Sequence, residues 1–224
     1  MNQKKKIIII FFGPPGSGKG TQAAMLGEYL KLPAISLGEL FRRESLRKGK
    51  LAKTLKEIMS RGKLVPQEIV EDVMDKRLRE KDARAGFILD GYPRKKIQLE
   101  KLSERLRKIL KPDDHALAIL VDVSDREVKK RLSKRRVCAC GAAYHLEFKP
   151  PRQRGNCDFC GGRLITREDD KPEVIADRLK LYHKENKPLI KYWEKQGRLI
   201  RIRGEQAIGS VKKDIIAALK KELK

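Results

Sequence analysis

Three groups of residues in this chain have types and spacings that suit chemistry. The first, Gly13-Pro14-Pro15-Gly16-Ser17-Gly18-Lys19-Gly20-Thr21, has the spacing G-x-x-x-x-G-K. Glycines there let successive backbone N–H groups converge on phosphate oxygens, and the start of the following helix adds partial positive charge. Lys19 would carry a mobile full charge to the β and γ oxygens, and a hydroxyl is wanted near Mg²⁺. The residue after Lys19 is Gly20, with Thr21 one place on, so the hydroxyl departs from the plain G-K-S/T form. A glycine-rich turn can simply join a strand to a helix. Here spacing, lysine, preceding apolar run and following helical pattern all coincide, which points to a bound nucleoside triphosphate.

The second group holds all four cysteines, Cys138-Ala139-Cys140 and Cys157-Asp158-Phe159-Cys160. Clustering of this kind speaks of metal more than of a disulfide framework. Four thiolates in two close pairs suit a structural, tetrahedral Zn²⁺. The Cys-x-x-Cys before Gly161-Gly162 is the stronger half. The Cys-x-Cys pair is a residue short, which strains the turn and leaves three alternatives open: His145 replacing a displaced thiol, a metal-free segment, or a disulfide. The third group, Asp90-Gly91-Tyr92-Pro93-Arg94, follows the apolar run Phe87–Leu89. Asp90 at the end of a buried strand could hold Mg²⁺ through water, or merely cap the turn before Pro93.

The elements that must position these groups are short apolar runs alternating with helical patterns. The runs are Ile7–Phe12, Phe87–Leu89, Leu117–Val123, Leu199–Ile202 and the weaker Pro33–Ser36. Helical periods cover Lys19–Leu30, Leu37–Arg47, Leu51–Ser60, Gln67–Lys81, Lys95–Leu110, Asp125–Arg135, Glu173–Gln196 and Ala207–Leu223. Continuous apolar runs suit parallel strands buried on both faces, so the fold class is α/β with a mostly parallel sheet. From Val137 to Asp170 the helical period stops, and the cysteines favour a small folded insertion there.

At 224 residues the chain is long enough to bury a full core without staples. Its longest apolar run is far short of the ~20 residues a membrane span needs. No signal peptide is evident, and the expected compartment is the cytoplasm. Lys and Arg number 54 against 30 Asp and Glu, a net charge of +24. That favours polyanionic company, yet the basic residues are spread along the chain and aromatics are only 5%. A solvated surface explains the excess better than a nucleic-acid stripe.

Taken together, the Lys19-Gly20-Thr21-Gln22 variant and Asp90-Gly91-Tyr92-Pro93-Arg94 resemble the adenylate kinase family, in its long-lid form. The resemblance implies a P-loop kinase fold with a central five-stranded parallel sheet flanked by helices. Residues 1–35, 66–133 and 171–224 would form the core, 36–65 a helical monophosphate-binding insertion and 134–170 a small Cys-rich lid. It implies Mg²⁺-dependent, reversible phosphoryl transfer from ATP to AMP giving two ADP, structural zinc bound by Cys138, Cys140, Cys157 and Cys160, and a monomer. ATP would meet Gly16, Ser17, Gly18, Lys19, Gly20 and Thr21, with Arg131, Arg135, Tyr144 and Gln206. AMP would meet Arg42, the backbone of Lys63, Leu64 and Val65, the turn Gly91, Tyr92, Pro93 and Arg94, and Gln98 as the amide reading adenine. Arg167 and Arg178 would close on the transferring group beside Lys19, Asp90, Arg94 and Arg135. Any one arginine in so basic a chain is usually a surface charge, and it is the set that carries weight.

Two departures matter. The family's Ser-Thr-Gly-Asp turn is Ser36-Leu37-Gly38-Glu39 here, which removes a hydroxyl from the acceptor base. UMP or CMP as acceptor is therefore an alternative, as is a zinc-containing basic RNA-binding protein. The other departure is the shortened Cys-x-Cys pair.

Overall fold

The computed structural model describes residues 5–223. Five strands, β1 (Ile7–Phe12), β2 (Ala34–Ser36), β3 (Gly86–Asp90), β4 (His115–Asp122) and β7 (Leu199–Arg203), form a parallel sheet in the order β2-β3-β1-β4-β7. Alternate residues of β1 feed two cores. Ile8, Ile10 and Phe12 join one, while Ile9 and Phe11 join the other. Burial on both faces is why these strands read as unbroken apolar runs.

Helices cover both faces. Helix α1 (Lys19–Leu30), α6 (Asp125–Lys134) and α8 (Ile208–Glu222) pack on the Ile9 side. Helices α2 (Leu37–Ser45), α3 (Lys50–Ser60), α4 (Gln67–Leu78) and α5 (Lys96–Ile109) pack on the Ile8 side. The long α7 (Pro172–Lys195) serves both cores, through Ile175 and Leu179 on one and Leu189 and Trp193 on the other. Helix α4 ends earlier than its polar–apolar pattern suggests: Lys81–Ala85 tightens into a 3₁₀ turn that delivers the chain to β3. Among the described residues, no helix is long and apolar enough to cross a membrane.

The stretch without helical period contains a two-stranded antiparallel ribbon, β5 (Arg135–Val137) and β6 (Ala143–His145). Its buried centre is small: Cys138, Tyr144, Cys157 and Leu164, with Ala142 against them. A 3₁₀ turn at Glu168–Asp170 returns the chain to α7.

Candidate active site

The phosphate loop leaves the sheet at the carboxyl end of β1, where parallel sheets place their ligands. Gly13 (φ 149°) lies so close to Ser17 and Val121 that a Cβ there would stand 2.6 Å from the Ser17 hydroxyl oxygen. Gly18, the N-cap of α1, is left-handed at φ 91°. Only glycine adopts such angles without strain, and the result is a run of backbone aimed outward at the helix start. The Lys19 ammonium donates to the Pro14 carbonyl at 3.1 Å, folded back over the loop. The Ser17 hydroxyl is enclosed without a partner.

Gly20 has a steric role. A Cβ at that position would come within 3.0 Å of Asp90 Oδ2. The glycine after the lysine therefore lets the carboxylate at the end of β3 approach α1. Asp90 Oδ2 accepts from the Ser36 hydroxyl at 3.0 Å, while Oδ1 is buried with no partner. An orphaned carboxylate oxygen beside a phosphate loop fits a hydrated Mg²⁺, a hard cation that keeps several waters. Thr21 lies on the exposed first turn of α1.

Two adjoining clefts open beside the loop. One is lined by Lys19, Gly91, Pro93, Arg94 and Arg178. The other is lined by Leu37, Arg42, Leu64, Val65, Arg94 and Gln98. Arg94 and Arg178 border both, so they stand where two ligands would meet. The Lys63 side chain points to solvent, although the residue borders the second cleft through its place in the chain. Tyr92 is itself buried at 1% exposure, its hydroxyl accepting from Arg105 at 3.1 Å.

The arginines are held rather than free. Arg94 Nε donates to the Gly91 carbonyl at 2.8 Å, and Arg42 pairs with Glu39 at 3.0 Å. Arg135 makes a two-pronged contact to Asp170, at 2.7 Å from Nε and 2.5 Å from Nη2. Arg178 donates to the Asp169 carbonyl and to Asp170 Oδ1. Arg131 spans Glu127, the Ser17 carbonyl and the Gly204 carbonyl, and lies over the Phe148 ring at 5.7 Å. Arg167 carries a buried Nε with no partner.

Electrostatically the site gathers several cations out of water. Burial pushes Lys19 down to about 8, and Arg94, Arg178 and Arg135 push the same way against Asp90. Burial likewise lowers Arg94, with Arg178 and Arg42 adding to it. Arg167 is lowered by burial and then by Arg135 and Arg42, and Arg178 is lowered by burial and by Arg135, with Asp169 and Asp170 opposing. Cations crowded out of water depress one another unless phosphate enters.

Two residues expected to meet ATP have side chains engaged within the protein. Tyr144 is 3% exposed, and its hydroxyl meets Cys157 Sγ at 3.4 Å and the Asp158 amide at 2.7 Å. Strand alternation explains this, since β6 turns the Tyr144 side chain inward and its neighbours outward. His145 and Phe148 stack at 4.5 Å and face Arg131 instead. Gln206 donates to the Arg203 carbonyl and to Asp214 Oδ2, so its amide ties the β7–α8 turn to α8. Asp169, Asp170 and Phe148 were absent from the expected set. The acidic pair was visible in Thr166-Arg167-Glu168-Asp169-Asp170, a rare carboxylate run in a basic chain.

All four cysteine sulfurs lie within 4.8 Å of one another. Cys138 and Cys160 are 3.4 Å apart and Cys140 and Cys157 3.6 Å, far beyond an S–S bond of about 2.05 Å. The four thiols are free. A tetrahedral Zn²⁺ with ~2.3 Å bonds would set its sulfurs about 3.8 Å apart, so the cage fits that ion. The short Cys-x-Cys pair reaches the cage because Gly141 turns left-handed at φ 94° and its amide donates to the Cys138 carbonyl at 3.0 Å. His145 stays outside, its Nδ1 accepting from the Glu147 and Phe148 amides at 3.2 Å.

A phosphate loop, a carboxylate at the end of the adjacent strand, and arginines gathered between two clefts define a P-loop phosphotransferase that takes two nucleotides. The family model for adenylate kinase matches residues 11–198. The chain is 41% identical over 212 residues to an adenylate kinase of Acetivibrio thermocellus, covering 94% of this chain and 97% of that one. It is 44% identical over 215 residues to one of Archaeoglobus fulgidus, covering 95% and 98%. With one of Methanocella arvoryzae it shares 45% over 214 residues, again 95% and 98%. The chain belongs to the adenylate kinase family.

Proposed function

We propose that this enzyme passes the γ-phosphoryl group of ATP to AMP through the residues assembled above. The carrying observation is geometric: Lys19, Arg94 and Arg178 line one cleft, and Arg42, Arg94 and Arg178 line the adjoining one. The phosphate-loop cleft takes the donor and the Leu37–Gln98 cleft takes the acceptor, with Arg94 and Arg178 at their junction. ATP and a monophosphate together bring about six negative charges, and each relieves the repulsion among these cations.

No covalent intermediate is required. Phosphoryl transfer spreads charge over equatorial oxygens, so positioning and electrostatic stabilisation supply most of the rate. Arginine suits the task, since its planar fork offers paired donors and never loses its charge. Arg94 and Arg42 orient the acceptor phosphate. Lys19 and the loop amides hold the donor phosphates. Arg135, Arg167 and Arg178 converge on the moving group, the first and last fixed by Asp170. Asp90 would hold Mg²⁺ through water, and the ion would supply neutralising charge to the donor phosphates. Residues 134–170 act as a lid and 36–65 as the acceptor-binding segment, over a core of 1–35, 66–133 and 171–224. Lid closure, an established property of adenylate kinases, keeps water from the phosphoryl group. Zinc in the cysteine cage is structural, since all four ligands come from the protein and no open position is left. The enzyme works as a monomer in the cytoplasm.

The test is direct. With MgATP and a panel of AMP, UMP, CMP and GMP, AMP should give ADP and the others far less diphosphate. Lys19→Met and Arg94→Ala should each cut turnover by about 10³-fold or more while melting like the parent. Near-normal turnover in either variant defeats the assignment of the clefts.

A further inference from the structure

The Gln98 amide belongs to a hydrogen-bond chain that starts at the acceptor cleft and ends in an ion pair between α4 and α5. The Arg94 backbone N–H donates to Gln98 Oε1 at 2.7 Å. Gln98 Nε2 donates to Gln67 Oε1 at 3.1 Å, and Gln67 Nε2 donates to Glu71 Oε1 at 2.7 Å. Arg105 closes the chain, with Nη2 donating to Glu71 Oε2 at 2.6 Å and Nη1 to the Tyr92 hydroxyl at 3.1 Å. Glu71 is 6% exposed and Gln98 2%.

This chain has a sense. A carboxylate only accepts, and a backbone N–H only donates. With Glu71 at one end, Gln67 must turn its NH₂ to the carboxylate and its carbonyl to Gln98. Gln98 must then offer NH₂ to Gln67 and its carbonyl to Arg94. Both ends demand the same orientation, so flipping Gln98 would set donor against donor and acceptor against acceptor. Each such clash in a buried place costs the full desolvation of the groups involved.

A fixed amide discriminates between bases. Gln98 retains one N–H and one carbonyl lone pair for a ligand. A 6-aminopurine presents an N–H donor beside a ring acceptor, and a 6-oxopurine presents the reverse order. We propose that Glu71, acting through Gln67, is a positioning residue that holds Gln98 in the sense matching a 6-aminopurine acceptor and opposing a 6-oxopurine one. This rests on the reading of Gln98 as the amide facing the acceptor base.

Glu71→Gln tests it, because the variant removes no heavy atom and Arg105 keeps its contact to Asp75 at 2.7 Å. Arg105 only donates, so it takes the carbonyl of the new amide and leaves an NH₂ facing Gln67. The sense of the chain is then wrong at one end. The KM for AMP should rise about tenfold, and the AMP-to-IMP ratio of kcat/KM should fall by a similar factor, with kcat changed less than about threefold. Gln67→Glu combined with Glu71→Gln restores one consistent sense, since the carboxylate now accepts from both neighbours. Both parameters should return toward the parent. A site needing only a filled volume would tolerate Glu71→Gln best and gain nothing from the second change. Unchanged KM and ratio in Glu71→Gln, or a double variant no better than the single, overturns the proposal. Gln98→Leu separates the two layers: if it also leaves the KM for AMP unchanged, the amide does not face the base. If it raises that KM while Glu71→Gln does not, the chain from Glu71 alone is at fault.

Discussion

In the central sheet, Ile8, Ile9 and Ile10 of β1 are completely enclosed, and two apolar cores meet on either face of the strand that carries the phosphate loop. In the segment from Arg135 to Asp170, the buried group amounts to two cysteines, a tyrosine and a leucine. Both regions must hold charged groups against phosphate, and they do it by different physics. Apolar burial at ~25 cal/mol per Å² fixes the loop without help. This segment, the proposed lid, is below the size at which a core alone usually suffices, so cross-links take its place. One is the cysteine cage, and the other is Asp170, whose side chain is fully buried between Arg135 and Arg178. On the proposed mechanism, rigidity for the donor phosphates comes from the sheet, while rigidity for the transferring group is local and separable.

The sharpest way to break that contrast is to take the cage apart. Structural zinc in small sites contributes roughly 10–16 kcal/mol of apparent folding free energy, and the lid has little else. Chelation, or Cys157→Ser, should lower turnover by at least about 100-fold, because water exclusion and the lid arginines go together. Metal analysis should show about one zinc lost per chain. The main unfolding transition should move little, since it reports the sheet. A lid that keeps full activity after its metal is removed would show that its core suffices after all.

A tenfold effect is expected from the loop side. Lys19 is pushed from 10.5 to about 8 by burial among other cations. The folded value is depressed, so the folded state disfavours the charged ammonium. That penalty is complete below about pH 8 and is relieved as pH rises towards 10.5. Stability from this group thus increases across the window while phosphate capture is lost. Because kcat/KM reports the free enzyme, its value for ATP should fall about tenfold per pH unit above 8. The kcat itself should hold to higher pH, because bound phosphate raises the lysine again. An identical pH profile in kcat and kcat/KM would mean that Lys19 is not sensing the donor.

Much of the sheet was legible in the sequence because burial on both faces writes itself as an apolar run. Ile7–Phe12 matches β1 residue for residue. The helices differ from their sequence patterns mainly at their ends, where fraying and 3₁₀ turns decide the boundary. The lid was legible only through its cysteines. Strand β5 is Arg135-Arg136-Val137, which has no apolar alternation and exists through its pairing with β6. The two-residue period of β6 turns the Tyr144 side chain against the cage, a contact that the spacing of the cysteines does not announce. Glu71 reads as one more polar residue on a helix. Its burial depends on Arg105 and Tyr92, 34 and 21 residues away, and no local pattern records that meeting.

The smallest effect sits on α2, where Leu37 lines the acceptor cleft at 3% exposure. Leu37→Thr offers the base a hydroxyl and removes apolar contact. A neutral hydrogen bond nets about 0.5–1.5 kcal/mol, which alone would lower the KM for AMP by roughly two- to tenfold. The lost packing opposes it, since shortening a buried leucine costs stability and leaves a partly relaxed cavity. In the free enzyme only the packing loss is felt, whereas in the complex the hydroxyl gains the base and the base fills part of the cavity. The expected outcome is a KM for AMP about threefold lower, a melting temperature a few degrees lower, and unchanged kcat. Assays with AMP and UMP on the same variant locate the readout: if both acceptors improve equally, the hydroxyl is only filling space. If neither changes, adenine is read by Gln98 and the backbone of Lys63–Val65 alone, and the leucine is an apolar wall.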